Sequence, residues 1–292
     1  MNLSEALAAG PLLTDGGWGT QLQLLGLGFD ECPDVWNLTN PAKVGQVASS
    51  YVEAGSRVIL SNTFRANRIS LAGFGLADQV VEINRSGAAI SQRAAGGKAL
   101  VFASIGPTGK MLMTGEVNPE EVLEAFSEQA RGLAEGGADG LVIETMGDLE
   151  EATIALRAAL STGLPVVVSF VFDTGRNKDR TMMGVTPEQA AAAMEAEGAF
   201  AVGANCGVGI EAYLPVCKRL RSATKLPVWI KANAGLPEIV DGKAVYKTTP
   251  EMFASHVPSL VEAGANFVGG CCGSTPAFIR AAAERLARCA TS

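Results

Sequence analysis

Glu135-Gly-Gly-Ala-Asp-Gly-Leu-Val-Ile143 decides the fold of this chain, because the phrase recurs. An acidic helix end, a glycine, a small residue and an apolar β-rich run are read again at Glu53-Ala-Gly-Ser-Arg-Val-Ile-Leu60. They return at Glu197-Gly-Ala-Phe-Ala-Val-Gly203 and at Glu262-Ala-Gly-Ala-Asn-Phe-Val-Gly269. Each copy describes a helix stopped by a left-handed glycine, a tight turn, and a strand apolar enough to be buried on both faces. Helix starts are equally regular. Asn118-Pro119-Glu120, Thr186-Pro187-Glu188-Gln189, Thr249-Pro250-Glu251 and Thr275-Pro276 each set a capping side chain before a proline in the first helical position, and Asp148-Leu-Glu-Glu151 reads as a capping box.

Working outward, the pattern predicts strands over 12–15, 57–62, 100–105, 140–144, 166–172, 200–205, 228–233 and 266–271. Helix-length segments separate them. Eight strand-then-helix units with short, uncharged, Val/Ile-rich strands describe a closed parallel α/β barrel, a (β/α)8 TIM barrel, better than an open doubly wound sheet. Nothing of linker composition divides the chain, so residues 1–292 are expected to form one domain.

The composition fits that reading. Hydrophobic residues at 48% and charged residues at 18% exclude a disordered chain. The formal charge, 23 − 30 = −7, argues against a nucleic-acid binder, which needs clustered cations. The segment before Lys43 carries no basic residue and so lacks the cationic start of a secretory signal, and the apolar stretch 263–279 is interrupted by glycines and Pro276. A cytoplasmic protein with no membrane segment is expected. The six cysteines then read as thiols or metal ligands and not as a disulfide framework.

In barrels of this type the chemistry sits where strands end. Here those ends are polar: Asp15, Asn62 with Thr63, Thr108, Glu144 with Thr145, Cys206 after Asn205, Asn233, and Cys271 with Cys272. Loops are polar in any protein, which explains a single position but not the whole set. Cys206 closes the sixth strand and the Cys271-Cys272 pair closes the eighth, so the three sulfurs flank the seventh strand. Neighbouring residues of a regular strand point to opposite faces, so both thiols of the pair serve one centre only if the backbone leaves strand geometry, which Gly269, Gly270 and Gly273 permit. The plain alternative is two small buried residues or a vicinal disulfide. Three thiolates with one vacant place describe a zinc site with an open position. Their net charge of about −1 around a divalent ion weakens it as an activator of water. Such a centre suits a substrate thiol instead, because a free thiol with a pKa near 8.5 is mostly protonated at neutral pH whereas a zinc-bound one is not.

Asp15-Gly-Gly-Trp-Gly-Thr20, Ser61-Asn-Thr-Phe64, Gly106-Pro-Thr-Gly-Lys110, Ile143-Glu-Thr-Met146, Ala204-Asn-Cys-Gly207, Asn233-Ala-Gly-Leu-Pro237 and Gly269-Gly-Cys-Cys-Gly-Ser-Thr-Pro276 occur in this order along nearly the whole chain. That set resembles the homocysteine S-methyltransferases, in particular the homocysteine-binding barrel of cobalamin-dependent methionine synthase. The resemblance implies zinc on Cys206, Cys271 and Cys272, which would also be the catalytic set. It implies a substrate subsite in which Asp15 and Glu144 accept from the ammonium of homocysteine and backbone N–H groups of Gly16, Gly17 and Trp18 hold its carboxylate. Asn62 and Asn233 are expected to line the same subsite. The implied reaction is attack of the zinc-bound homocysteine thiolate on an activated methyl group, forming methionine. With 292 residues there is no length for folate or cobalamin modules, so the expected donor is a methylcorrinoid on a separate protein or a small onium compound such as S-methylmethionine or betaine. Trp18, Trp36 and Phe64 could cage such a cation.

Other signals are set aside. Gly207-Val-Gly209-Ile-Glu-Ala212 imitates a dinucleotide fingerprint but is followed by no acid for a ribose. Lys231, near the end of the seventh strand, offers a rival reading as the Schiff base of an aldolase-type lyase. His256, the single histidine, follows Ser255 in a predicted helix and is expected to be solvated. A zinc barrel without catalysis, acting as partner of a corrinoid protein, is the non-enzymatic alternative.

Overall fold

The computed structural model describes residues 2–28, 30–236, 238–240 and 243–290; Pro237 of the seventh-strand motif lies outside them. Among the described residues ten strands follow in chain order: β1 Leu12–Leu13, β2 Val58–Ile59, β3 Leu100–Ile105, β4 Gly140–Met146, β5 Val166–Phe170, β6 Ala201–Gly209, β7 Val228–Asn233, β8 Glu238–Val240, β9 Lys243–Val245 and β10 Ala265–Gly270. Eight of them form one parallel sheet in the order β1-β10-β7-β6-β5-β4-β3-β2, while β8 and β9 pair as an antiparallel hairpin in the connection after β7. The sheet curls until its edges meet. There Arg57 N donates to Leu13 O at 2.7 Å, Ser56 Oγ donates to Thr14 O at 3.2 Å, and Leu60 N donates to Asp15 Oδ2 at 2.7 Å. This is the (β/α)8 TIM barrel that the repeat predicts.

The repeat's local physics is visible in the backbone. Gly55, Gly137, Gly198 and Gly264 all have positive φ, from 87° to 106°, and each stops the helix before the next strand. Asn118 with Glu121 and Thr186 with Gln189 form full capping boxes, and Thr249 caps its helix through Met252 N. Asp148 caps through Glu150 N, but Glu151 does not complete a box: its Oε1 accepts from Thr108 N and Thr108 Oγ1, both at 2.7 Å. A tertiary partner with two donors outcompetes one local N–H.

Strand limits differ from expectation at the closure. β1 and β2 are two residues each, because side chains of Ser56 and Asp15 replace ladder bonds there. β4 and β6 run past their expected ends, and each extension contains a non-glycine residue in the left-handed region, Thr145 (φ 63°) and Cys206 (φ 62°).

Inward-facing side chains change character along the barrel axis. The floor is apolar, with Phe102 stacked on Trp229 (centroids 6.2 Å apart) and Phe267 against Trp229 (5.0 Å). Leu3, Ala6 and Leu7 of the helix Leu3–Ala8 pack against this floor. Two residues further along the same strands the interior is polar: Ser104 on β3, Glu144 on β4, Ser169 on β5, Asn205 on β6 and Lys231 on β7 are all buried. A period of two along each strand puts them in one layer. No helix among the described residues is long and apolar enough to cross a membrane.

Candidate active site

Above the polar layer the three cysteines of the sequence reading come together. Their sulfurs all lie within 4.8 Å of one another, and Cys206 Sγ is 3.7 Å from Cys272 Sγ. β10 ends at Gly270, so Cys271 and Cys272 lie in the turn beyond it and escape the alternation that would have parted their side chains. The turn is held from several sides. Cys271 N donates to Ala232 O (2.7 Å), Cys272 N to Asn233 Oδ1 (3.0 Å), Gly273 N to Thr20 Oγ1 (3.1 Å), and Cys272 O accepts from Ala234 N (2.9 Å). Across the mouth, the left-handed backbone of Cys206 lifts its sulfur toward the pair, and Tyr213 Oη donates to Cys206 O. Three sulfurs this close cannot all carry charge without a cation among them. Hydrogen bonds from Cys271 and Cys272 draw the Cys206 thiol down to about 3, and the resulting thiolate pushes Cys272 up to about 12.

The donor set fits a tetrahedral soft-metal site. Zn–S bonds of about 2.3 Å in tetrahedral geometry set sulfurs about 3.8 Å apart, close to the 3.7 Å of Cys206 and Cys272. Cys32, Cys217 and Cys289 stand elsewhere: Cys32 and Cys217 are buried, and burial pushes each thiol up to about 11.

The loop Asp15-Gly-Gly-Trp18 interlocks with the cysteine turn. Gly17 N donates to Ser274 O (2.9 Å), Gly270 N donates to Asp15 O (2.9 Å), and Tyr51 Oη donates to both Gly17 O and Ser274 O at 3.1 Å. A Cβ on Gly17 would stand 2.7 Å from Cys271 O, so the approach requires glycine there. The Asp15 carboxylate is fully buried and takes three protein donors: Trp18 Nε1 (2.7 Å), Leu60 N (2.7 Å) and Lys231 Nζ. Glu144 accepts from Ser104 Oγ at 2.5 Å. Burial raises its pKa above the ordinary carboxylate value, against the opposing pull of Lys231 and the Ser104 bond, while the charges of Asp15 and Cys206 raise it further. Asp15, Glu144, Lys231 and the sulfurs thus form one electrostatic group.

Two further candidates, Asn62 and Asn233, also make hydrogen bonds that hold the strand ends. The Asn62 amide donates to Pro33 O (2.7 Å) and Asn37 Oδ1 (3.2 Å), bracing the loop behind the second strand end. Asn233 supports Cys272 through its backbone N–H. The cation cage of Trp18, Trp36 and Phe64 does not form: Trp36 is buried and Lys43 Nζ already sits 4.7 Å over its ring. Lys231, 1% exposed and ion-paired to Asp15, has no approach for a carbonyl substrate. His256 is exposed on its helix.

Sequence reasoning missed Ser104, Ser169, Tyr51, Tyr213 and the part played by Asn205. A lone hydroxyl within Leu-Val-Phe-Ala-Ser-Ile or Val-Val-Val-Ser-Phe, at an inward-facing position, is the signal that marks the two serines. Phe64, Met111, Met113, Met182, Met183 and Leu236 are exposed large hydrophobic residues in segments that follow barrel strands, and in a barrel those segments share one face, which gives the strand-end side an apolar rim.

A family model for homocysteine S-methyltransferase matches residues 12–286. The chain is 32% identical to methionine synthase of Mycobacterium leprae over 99% of its own length and 25% of that protein, and 30% identical to methionine synthase of Mycobacterium tuberculosis over 98% and 25%. It therefore spans about a quarter of the curated relatives it matches. The metallated form of the homocysteine methyltransferase MmuM from Escherichia coli superposes with a TM-score of 0.81 at 23% identity, covering 97% of this chain and 100% of that one, which establishes the shared fold. With the family's barrel, its strand-end motifs and a family model that spans residues 12–286, the chain belongs to the homocysteine S-methyltransferase family of methyltransferase enzymes.

Proposed function

We propose that the protein is a zinc-dependent homocysteine S-methyltransferase that forms methionine, with residues 1–292 acting as one homocysteine-binding unit in the cytoplasm, where its thiols stay reduced. The observation that carries this reading is the mutual approach of Cys206, Cys271 and Cys272 at a barrel mouth. Zinc held by these sulfurs supplies the charge that keeps a substrate thiol ionised at neutral pH. The rest falls to the chain. Glu144 has one oxygen bound by Ser104, so its other oxygen is the acceptor for the homocysteine ammonium; Asp15, with three donors already, contributes its last lone pair and its charge. Gly17 N is given to Ser274, so the substrate carboxylate is held by the N–H groups of Gly16 and Trp18. Asn233 lines the subsite beside Cys272, and Asn62 supports its far wall.

For the methyl donor, the apolar rim favours a methylcorrinoid carried on a separate protein. A small onium ion needs no broad apolar surface around the mouth, whereas a protein partner does, and exposed methionines suit adaptable docking. The test is methionine formation by zinc-loaded protein with homocysteine and, in parallel, S-methylmethionine, betaine, free methylcobalamin and a methylcorrinoid protein. Purified protein is expected to hold about one zinc per chain, lost in Cys206→Ala. Methionine from the corrinoid protein, reduced by Met113→Glu, supports the reading. Methionine from an onium donor alone moves the donor assignment, and no methionine from any donor refutes the function.

A further inference from the structure

Asn205 is fully buried one residue before Cys206, and all of its carboxamide is engaged. Oδ1 accepts from Thr145 N (2.8 Å) and from Ser169 Oγ (2.7 Å). Nδ2 donates to Thr145 Oγ1 (2.8 Å) and reaches Cys271 Sγ at 4.0 Å. One side chain on β6 therefore grips the end of β4, the middle of β5 and a sulfur in the turn after β10.

The backbone around it is equally telling. Among the described residues only Thr145, Lys178 and Cys206 are non-glycine residues at positive φ. A β-branched threonine there is strained and persists only where its surroundings hold it. Thr145 is held on both its N–H and its hydroxyl by Asn205, and Cys206 is the next residue along. The two strained positions of the mouth therefore share one clamp. Its spare N–H points at a sulfur, and an N–H donated to a thiolate withdraws electron density from it and fixes its direction.

We propose that Asn205 is a positioning residue of the metal centre. Its carboxamide locks the left-handed turn that follows Glu144, fixes the start of the Cys206 bend, and tempers the donor strength of Cys271 through the N–H···S contact. The proposal rests on the reading of the three cysteines as a zinc site.

Cobalt(II) in place of zinc gives the test a spectroscopic readout independent of turnover. Asn205→Asp keeps the shape and the acceptor for Thr145 N and Ser169 Oγ, and the Thr145 hydroxyl can reverse to donate; the sulfur loses its donor and gains a buried negative neighbour, both of which raise its electron density. The sulfur-to-cobalt charge-transfer band is expected at longer wavelength than in the unaltered protein. Thr145→Gly is the neutral second variant, and it folds readily because glycine is at ease at a φ of 63°. By releasing the carboxamide it should shift the band in the same direction and lower cobalt affinity by about tenfold in a chelator competition. Wild-type band position and affinity in both variants would overturn the role of Asn205 while leaving the metal site intact. Failure of the unaltered protein to bind cobalt at one equivalent would instead overturn the zinc reading, and this proposal with it.

Discussion

Replacing Lys231 by methionine removes an ammonium from a site that is 1% exposed and leaves the 0%-exposed Asp15 carboxylate without its counter-charge. Breaking a buried pair from one side costs about 3–5 kcal/mol, because the surviving charge has neither water nor partner. Asp15 keeps two N–H donors, from Leu60 and Trp18, so the lower end, about 3 kcal/mol, applies. Unfolding entropy of about 2.1 cal/mol/K per residue over 292 residues gives about 0.6 kcal/mol/K, which converts the loss to about 5 °C in Tm. The assay is thermal unfolding at neutral pH of Lys231→Met beside the double variant Asp15→Asn, Lys231→Met. A neutral pair of the same size needs no counter-charge, so the double variant should recover most of the loss. A single variant melting within about 1 °C of the unaltered protein, or a double variant less stable than the single, would refute the view that this ion pair braces the barrel mouth.

Glu144→Gln tests the buried carboxylate. Its folded pKa is raised above 4.5 by burial, so the unfolded chain releases this proton first and rising pH favours unfolding until the folded group ionises as well. The unaltered protein should lose stability as pH climbs from about 4.5, and the glutamine variant should show a flatter profile in urea midpoints together with a raised KM for homocysteine. An unchanged profile would remove Glu144 as a strained acid. Gly17→Ala drives a Cβ against the Cys271 carbonyl at 2.7 Å, a backbone atom that cannot swing aside. A loss of about 1–3 kcal/mol in stability and faster metal loss to a chelator are expected, read by denaturant titration and metal analysis; retention of both would mean the two loops yield more easily than their hydrogen bonds imply.

Much of the architecture is written locally. A helix-stopping glycine followed by an apolar run is a signal of a few residues, and it located four of the barrel strands directly, those at β2, β4, β6 and β10, leaving the others to be filled in from the spacing between them. The cysteines were legible for a similar reason: strand ends converge in a barrel, so thiols at two of them meet whatever the intervening sequence. What stayed hidden depends on partners remote in the chain. Lys231 lies 216 residues from Asp15, and nothing in Ile230-Lys231-Ala232 announces an acid. Glu151 has the spacing of a capping box and is claimed by Thr108, 43 residues away. Trp36 reads as a free aromatic until Lys43 is found over its face. Asn205 looks like a polar strand end, and only the register of β4, β5 and β10 around it shows its four contacts.

The interlock between the first loop and the last turn also bears on how the protein is made. Thr20 meets Gly273 across 253 residues, and Asp15 O waits for Gly270 N. During synthesis the early strands leave the ribosome with an unclosed edge and without two of the three sulfurs, so the proposed zinc site is complete only after translation of the final strand. Until then the nascent sheet presents pairing edges to its surroundings, the condition under which chaperones earn their place.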